Sequence, residues 1–380
     1  MEKKLIALAI ASLMSAPAFA QSNVTLYGTI DFGFTSLGSN DVDGVKGRNA
    51  IDSGISKSNR IGFRGTEDLG NGLKAVFVLE EGLNGDQGAM WKTTNRQSYA
   101  GLTGSFGTIA LGRQNSPQHV LTGNVDPFGK NGLGSAGNVL LQDKRLNNLL
   151  AYISPNWGGF SFIAGWSFNG TRARASGTPL DFGGGDEALE NDGDVQIWAI
   201  VPSFKWDKLF VGANYHSGKA KMAHSNNIKA LDVYDLYASY DFGFVKVGAM
   251  IGQRVSKKAA TATDKDVKLQ QAMLGATFKI TPTDSILASY NYARENSYND
   301  GMDDRAKIGQ WAIGYEHALS KRTILYAQLA MQQHNDAYKD RGFRSIYTDS
   351  QVGSVGSSNL NADVTLGYRR GLAVGFRHDF

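Results

Sequence analysis

The sequence predicts an all-β protein, a sixteen-stranded antiparallel barrel that crosses a membrane with its strands. Three observations lead to this fold class: segments in which polar and apolar residues alternate, connections that are by turns short and long, and a C-terminal strand that alternates up to Phe380. Gly is abundant, with 46 residues, and Pro is scarce, with 7. Strands of about ten residues with alternating polarity, separated by turn residues, are typical of outer-membrane barrels.

The alternation runs along many segments of the chain. In the first, Val24, Leu26 and Phe34 share one face, and the polar residues lie between them. The segments 234–242 and 325–332 alternate in the same way. A soluble sandwich turns its apolar face to a core, whereas a membrane barrel turns it to lipid and lines its lumen with polar residues. Alternation alone leaves both architectures open.

The rhythm of the connections favours the membrane barrel. Seven short connections and eight long ones join sixteen strands, an even number, as expected for tight periplasmic turns on one rim and long external loops on the other. The short ones lie at 70–72, 104–107, 156–159, 206–208, 241–243, 281–284 and 320–322. The long ones lie at 37–58, 83–94, 115–143, 169–193, 218–230, 256–266, 297–304 and 334–370.

The N-terminal residues 1–20 are expected to be a signal peptide and not part of the fold. Lys3 and Lys4 precede the apolar run 5–14, and residues 18–20 read Ala-Phe-Ala, which suits a cleavage site before the next residue. The barrel domain is therefore expected to occupy residues 21–380. No later run reaches the roughly 18 apolar residues of a membrane-spanning helix.

The composition argues against several kinds of site. The chain has no cysteine, which excludes disulfides, thiolate metal sites and cysteine nucleophiles. Its six histidines show no HExxH spacing, and the glycine run 183–185 is not followed by the Lys of a phosphate-binding loop. Glu80 and Glu81 are adjacent, so a strand points them to opposite faces. We expect no cofactor, no metal, no enzymatic activity and no nucleic-acid partner.

Aromatic residues mark the predicted strand ends. Girdles of aromatic side chains at the two membrane interfaces would explain their positions, although aromatic residues are common in any strand. The candidates for these girdles are Tyr27, Trp157, Phe160, Trp206, Tyr290, Tyr292 and Tyr315.

Five blocks of the chain follow one another in a recognisable order. They are SNVTLYG at 22–28, SNRIGFRGTEDLG followed by GLKA within 58–75, RQSYAGL at 96–102, GTIALGRQ at 107–114 and VGFRHDF at 374–380. Together they resemble the general trimeric porins of Gram-negative bacteria, in the β-proteobacterial branch. The resemblance implies a homotrimer in the outer membrane, a water-filled channel for ions and small hydrophilic solutes, and a third long loop folded inward. It also implies outer-membrane lipid, lipopolysaccharide and the barrel-assembly machinery as partners, with Phe380 as the assembly signal.

The family's basic pore wall maps onto arginines of this chain. By motif these are Arg60, Arg96 and Arg145. The alternation of side chains along a strand supports Arg60 and Arg145. Arg60 alternates with apolar residues that would face lipid, and Arg145 lies on the inner side of the strand after the third long loop. Arg64 shares the inner face of its strand with Arg60. Charged rings at a narrow point give a pore its ion selectivity. We expect these arginines to line the pore constriction.

The remaining candidates depend on local geometry. Arg96 points inward if Tyr99 faces lipid or a trimer partner, and Arg113 does so if its strand bends into the third loop. Glu80 and Asp126 are the expected acidic partners on the opposite side of the pore, giving a transverse field. Three arginines against two acids predict a weak anion preference. The alternative is that these charges only hold the loop to the wall.

Other functions are compatible with the same residues. A substrate-specific channel shares every feature above and differs in showing saturable flux. An enzyme within a membrane barrel would need a Ser-His pair, for which His317 is a loose candidate. A secreted β-sandwich adhesin would be soluble without detergent.

Overall fold

The computed structural model describes residues 23–38, 47–86, 90–91, 96–129, 131–142, 145–168, 195–220, 228–258, 266–295, 305–337 and 368–380. The predicted signal peptide at 1–20 and the predicted long loops at 169–193 and 297–304 lie outside these ranges. Within them, seventeen strands form one antiparallel sheet that closes on itself, because the first strand pairs with the seventeenth.

The strands follow one another around the barrel in chain order. They are β1 Asn23–Gly38, β2 Arg48–Ser53, β3 Arg60–Gly70, β4 Leu73–Gly82, β5 Gln97–Gly104, β6 Gly107–Asn115, β7 Arg145–Ile153, β8 Phe160–Ser167, β9 Val195–Trp206, β10 Leu209–Ala220, β11 Ile228–Asp241, β12 Val245–Lys258, β13 Val267–Lys279, β14 Asp284–Glu295, β15 Lys307–Ala318, β16 Thr323–His334 and β17 Arg370–Asp379. Two short helices lie between β6 and β7, namely α1, Pro117–Val125, and a 3-10 helix, Ala136–Asn138. In the part of the chain that the structure describes, no helix is long and apolar enough to cross a membrane.

The seventeen strands fill sixteen positions in the barrel wall, as predicted. β2 and β3 both pair with the same edge of β1, where β3 takes residues 23–29 and β2 takes residues 32–37. The predicted long loop at 37–58 is therefore wrong in part, because residues 48–53 form a strand. This strand continues the wall beyond the end of β3, next to residues 32–37 of β1.

All seven predicted short turns join neighbouring strands. We call the rim that carries them the turn end of the barrel and the opposite rim the loop end. In two of the turns a non-glycine residue adopts the left-handed conformation, Asn71 with φ 52° and Asp207 with φ 49°. Asn and Asp tolerate this conformation better than other side chains, so the turn chemistry was readable from the sequence.

The apolar side chains of the alternating strands face outward, as in a membrane barrel. On β11, Leu236 is 55% exposed on the outer face, whereas its neighbour Asp235 is 2% exposed on the inner face. β16 repeats this pattern with Leu325 outside and Gln328 inside. Apolar side chains therefore cover the outside and polar ones the inside, which is the reverse of a soluble sandwich.

The first and last strands close the barrel at a tight seam. The backbone N–H of Gly28 donates to the carbonyl of Phe380 at 3.1 Å, and the reciprocal bond measures 3.2 Å. The Phe380 ring lies over Gly28 so closely that a Cβ there would sit 2.3 Å from its Cζ atom. Only glycine fits under this ring.

Candidate pore site

The segment between β6 and β7 is organised by its own side chains. We call residues 116–129 and 131–142 the inner segment. Ser116 caps α1 by accepting a hydrogen bond from the backbone N–H of His119 at 3.0 Å, and Pro117 follows at the first helical position. The Asp126 carboxylate, 6% exposed, accepts the backbone N–H groups of Phe128 and Ala136, both at 3.0 Å. Asp126 therefore stabilises the fold of the segment.

Polar contacts attach the inner segment to the inside of the wall. Gln118 of α1 donates to the Asp235 carboxylate on β11 at 2.7 Å. The backbone N–H of Leu133 donates to the side chain of Gln328 on β16 at 2.8 Å. Since Asp235 and Gln328 lie on the inner face of their strands, the segment lies within the barrel, against one half of its wall.

An apolar cluster reinforces this attachment. Val125 and Leu140 of the inner segment pack with Tyr237, Met250 and Ile308, which come from β11, β12 and β15 and are buried. Such burial contributes roughly 25 cal/mol per Å² of apolar surface removed from water. The half of the wall from β9 to β17 is therefore largely covered from within.

A basic cluster lies on the other half of the wall and is built around one carboxylate. Arg96 Nε donates to Glu80 Oε1 at 2.6 Å, and Arg60 Nε lies 3.5 Å from Glu80 Oε2. The hydroxyl of Tyr27 donates to Glu80 Oε2 at 3.2 Å, and Arg145 acts electrostatically on the same carboxylate. The three guanidinium groups and the Glu80 carboxylate together carry a net charge of +2, and Glu81 also interacts electrostatically with Arg96.

The positions of the two acids correct the sequence prediction. Glu80 lies among the arginines and not opposite them, because β3 and β4 pair Gly62 with Glu80, two residues from Arg60. Asp126 is buried within the inner segment, where both of its carboxylate oxygens accept backbone N–H groups, and is not exposed towards the basic wall. In the described parts of that segment Asp126 is the sole carboxylate, so no exposed acid there faces the basic wall.

Arg96 joins the basic cluster although the alternation of its strand would point it outward. β5 begins at Gln97, so the residue before it is free of the strand's alternation. The sequence required Tyr99 to face lipid, and this is wrong. Leu102, on the opposite face of β5, is 44% exposed on the outside of the barrel. Tyr99 therefore faces inward, and it interacts electrostatically with Glu80. Arg96 lies near the pore because it precedes the strand.

The bend that Arg113 required is present. Gly112 adopts φ +130°, and the register between β6 and β7 shifts at this point. A β-bulge of this kind redirects the side chain that follows. The Arg113 guanidinium donates to the side chain of Asn147 on β7.

Arg64 lies on the same face as the basic cluster, towards the turn end. Its guanidinium carbon lies 5.4 Å from the centre of the Tyr27 ring, within the range of a cation–π contact. Tyr27 was predicted for the aromatic girdle, and this is wrong, because its hydroxyl is bonded to Glu80 inside the barrel. Among the other girdle candidates, Trp157 and Trp206 are exposed on the outside at 52% and 70%.

Sequence reasoning missed a buried polar network behind the inner segment. The Asp235 carboxylate accepts hydrogen bonds from Asn214 at 2.9 Å and from Gln271 at 3.3 Å, besides the bond from α1. Arg254, fully buried, donates to the carbonyl of Leu141 at 3.0 Å. The alternation in the segment 234–242 places Asp235 on the polar face, but alternation does not say whether water or a loop covers a residue.

A closed barrel with an inner segment and a basic inner wall has a clear counterpart among known proteins. A family model described as Gram-negative porin matches residues 7–337. The chain belongs to the Gram-negative porin family. Outer membrane porin protein 32 of Delftia acidovorans is 32% identical, with 100% of both chains covered. An outer membrane porin of Bordetella pertussis is 30% identical over 86% of this chain and 93% of its own.

Solved structures agree with this assignment. An anion-selective porin from Comamonas acidovorans superposes with a TM-score of 0.72 at 26% identity, covering 95% of this chain and 100% of its own. The trimer form of an outer membrane protein of Vibrio cholerae, 15% identical, has a TM-score of 0.62 over 94% of this chain and 99% of its own, and shows the fold alone. The porin lies in the outer membrane and forms a diffusion channel.

Proposed function

We propose that this porin is a general diffusion channel for small hydrophilic solutes with a weak preference for anions. The observation that carries the preference is the basic wall, where Arg60, Arg96 and Arg145 surround the carboxylate of Glu80. An aqueous pore selects ions by the charge at its narrowest point. The anion-selective porin of similar structure supports the same direction.

The residues divide into those that attract ions and those that shape the passage. Arg60, Arg96 and Arg145 are proposed to line the constriction, with Glu80 as the counter-ion that holds two of them in place. Arg64 continues the positive surface towards the turn end. The inner segment narrows the passage from the opposite side.

Arg113 and Asp126 take supporting roles in this proposal. Arg113 lies at the point where β6 bends into the inner segment, so its charge adds to the positive field near the constriction. Asp126 fixes the conformation of the inner segment through its two backbone hydrogen bonds. Neither is expected to contact a permeating ion.

Assembly and surroundings complete the proposal. Residues 1–20 direct export and are removed, and the barrel of residues 21–380 inserts with the help of the barrel-assembly machinery, which reads Phe380. The proposed unit is a homotrimer, embedded in outer-membrane lipid beside lipopolysaccharide, and it has no enzymatic activity. The backbone hydrogen bonds between Gly28 and Phe380, which close the barrel at its last strand, support the role proposed for Phe380.

Reversal potentials in planar bilayers test the proposed preference. In a KCl gradient the reversal potential should have the same sign as the equilibrium potential of chloride. It should be smaller than that potential, because the selectivity is incomplete. A potential of the opposite sign would overturn the anion preference. The flux of neutral solutes should rise linearly with concentration, whereas saturation would favour the alternative of a substrate-specific channel.

A further inference from the structure

The connection between β2 and β3 leaves the barrel wall. Ser53 at the end of β2 pairs with Phe32, and Arg60 at the start of β3 pairs with Thr29. The three residue steps from Thr29 to Phe32 are therefore opposed by the seven steps from Ser53 to Arg60. Extra residues in one strand of a pair cannot lie in the plane of the sheet, so they bulge out of it. We call residues 54–59 the inward bulge.

A buried carboxylate fastens the inward bulge to the inner face of the wall. Asp31 on β1, which is fully buried, accepts the backbone N–H groups of Ser56 at 2.8 Å and of Lys57 at 2.6 Å. The hydroxyl of Tyr326 on β16 donates to the same carboxylate at 2.5 Å. Arg377 on β17 donates to the Ser56 hydroxyl at 2.8 Å. Three strands of the wall therefore hold the bulge on their inner side.

The inward bulge also reaches the inner segment. Ile55 belongs to a buried apolar cluster that includes Phe128 and Leu133 of that segment. The hydroxyl of Ser58 donates to the side chain of Asn131 at 3.1 Å. The bulge therefore lies in the lumen, between the seam of the barrel and the inner segment.

The inward bulge carries one charged side chain, and this side chain forms an ion pair in the lumen. The ammonium group of Lys57 lies 2.8 and 2.9 Å from the two carboxylate oxygens of Asp379. Phe376, three residues earlier on β17, is 45% exposed on the outside, so alternation puts Asp379 inside. The side chains of Lys57 and Asp379 are 32% and 38% exposed. The pair is therefore in contact with the water of the pore.

The ion pair lies at the level of the basic cluster. Thr29 on β1 pairs with Asp379 on one side and with Arg60 on the other. Two such strand spacings place the Cα atoms of Asp379 and Arg60 about 10 Å apart. The Asp379 carboxylate acts electrostatically on Arg60. Without a partner, this carboxylate would offset one positive charge of the cluster.

We propose that Lys57 is a further selectivity-determining residue of the pore and that it acts by neutralising Asp379. The pair has no net charge, so the ion preference is left to the arginines of the basic cluster. The inward bulge brings Lys57 to this place, because Arg60 itself begins the next strand. The proposal rests on the proposed function as a diffusion channel, but the direction of change in each variant does not depend on which ion the wild type prefers.

The absence of cysteine from the chain allows the charge at position 57 to be chosen after folding. Lys57→Cys, inserted in a planar bilayer, should lower the chloride-to-potassium permeability ratio about two- to fourfold. A thiol reagent that attaches an ethylammonium group should restore the ratio. A reagent that attaches an ethylsulfonate group should lower it further by a similar factor. Rescue by charge in a channel that is already folded separates electrostatics from packing.

Variants of the partner complete the test. Asp379→Asn should raise the ratio by a similar factor, and K57Q/D379N should return it close to the wild-type value. Lys307→Cys is the matched control, because Lys307 is an exposed lysine on the outer side of β15, so neither reagent should change its ratio.

Two results would overturn the proposal. One is a ratio in Lys57→Cys that stays unchanged although mass spectrometry shows complete modification. The other is a shift in the same direction in Lys57→Gln and Asp379→Asn, which would mean that the pair only fastens the bulge. A wild type that prefers cations would contradict the proposed anion preference, whereas the opposite shifts of the two variants would remain.

Discussion

Neutralising Glu80 should make the channel more selective for anions. The three guanidinium groups of the basic wall and the Glu80 carboxylate together carry a net charge of +2, and Glu80→Gln raises this to +3. The electrostatic interaction energy between the Glu80 charge and an ion about 6 Å away in water is about 0.7 kcal/mol, and salt near 0.1 M reduces it to about 0.4 kcal/mol. This favours the anion about twofold and disfavours the cation about twofold, so the permeability ratio should rise about fourfold.

Reversal potentials across planar bilayers measure this ratio directly. Arg96→Gln removes a positive charge from the same cluster and should lower the ratio by a similar factor, so the two variants must move in opposite directions. Glu67→Gln is the matched control, because Glu67 is exposed on the outward side of β3. If Glu80→Gln left the ratio unchanged while Arg96→Gln lowered it, the claim that Glu80 lies beside the ion path would be refuted.

Three further variants address the seam and the inner segment. Gly28→Leu should drive a side chain into the Phe380 ring and lower the free energy of unfolding by about 1–3 kcal/mol, seen as a lower temperature of the heat-induced mobility shift on gels. Gln118→Ala should deprive the buried Asp235 carboxylate of its 2.7 Å donor, costing about 1–3 kcal/mol and giving noisier single-channel currents. Asp126→Ala should loosen the inner segment and change the single-channel conductance without changing the sign of the ion preference, because its carboxylate serves two backbone N–H groups.

Matched controls exist for these variants. Gly137→Ala should be tolerated, because a Cβ there meets its nearest neighbour at an ordinary 3.6 Å. Gln253→Ala alters a glutamine on the outer side of β12 and should leave the current noise unchanged. A shift of the permeability ratio in Asp126→Ala as large as that in Glu80→Gln would show that the Asp126 charge does reach the ions.

The barrel itself was predictable because its signals are local. Alternation with period two and turn residues at short intervals depend on neighbours in the chain, so sixteen wall positions and seven turns could be read directly. The inward direction of Arg60 and Arg64 followed from the same period. The position of Glu80 was also predictable. Counting outward from the turn at 70–72 pairs Glu80 with Gly62, two residues from Arg60.

The inner segment was harder because its contacts join distant parts of the chain. Asp126 looked like a pore acid, and only the fold of its own segment shows that Phe128 and Ala136 occupy its oxygens. Asp235 looked like a lumen residue, and only the docking of α1, 117 positions away, shows that it is covered. Parity gives the side of a wall on which a residue lies, but not what lies against it.

The placement of the inner segment makes the interior of the barrel lopsided. One arc of the circumference, from β9 to β17, is committed to holding the segment, through residues such as Asp235 and Gln328. The other arc carries the basic cluster. Substitutions on the second arc can therefore change the ion selectivity while the contacts that hold the inner segment on the first arc stay intact. Ion selectivity and the stability of the inner segment can thus change separately in this protein.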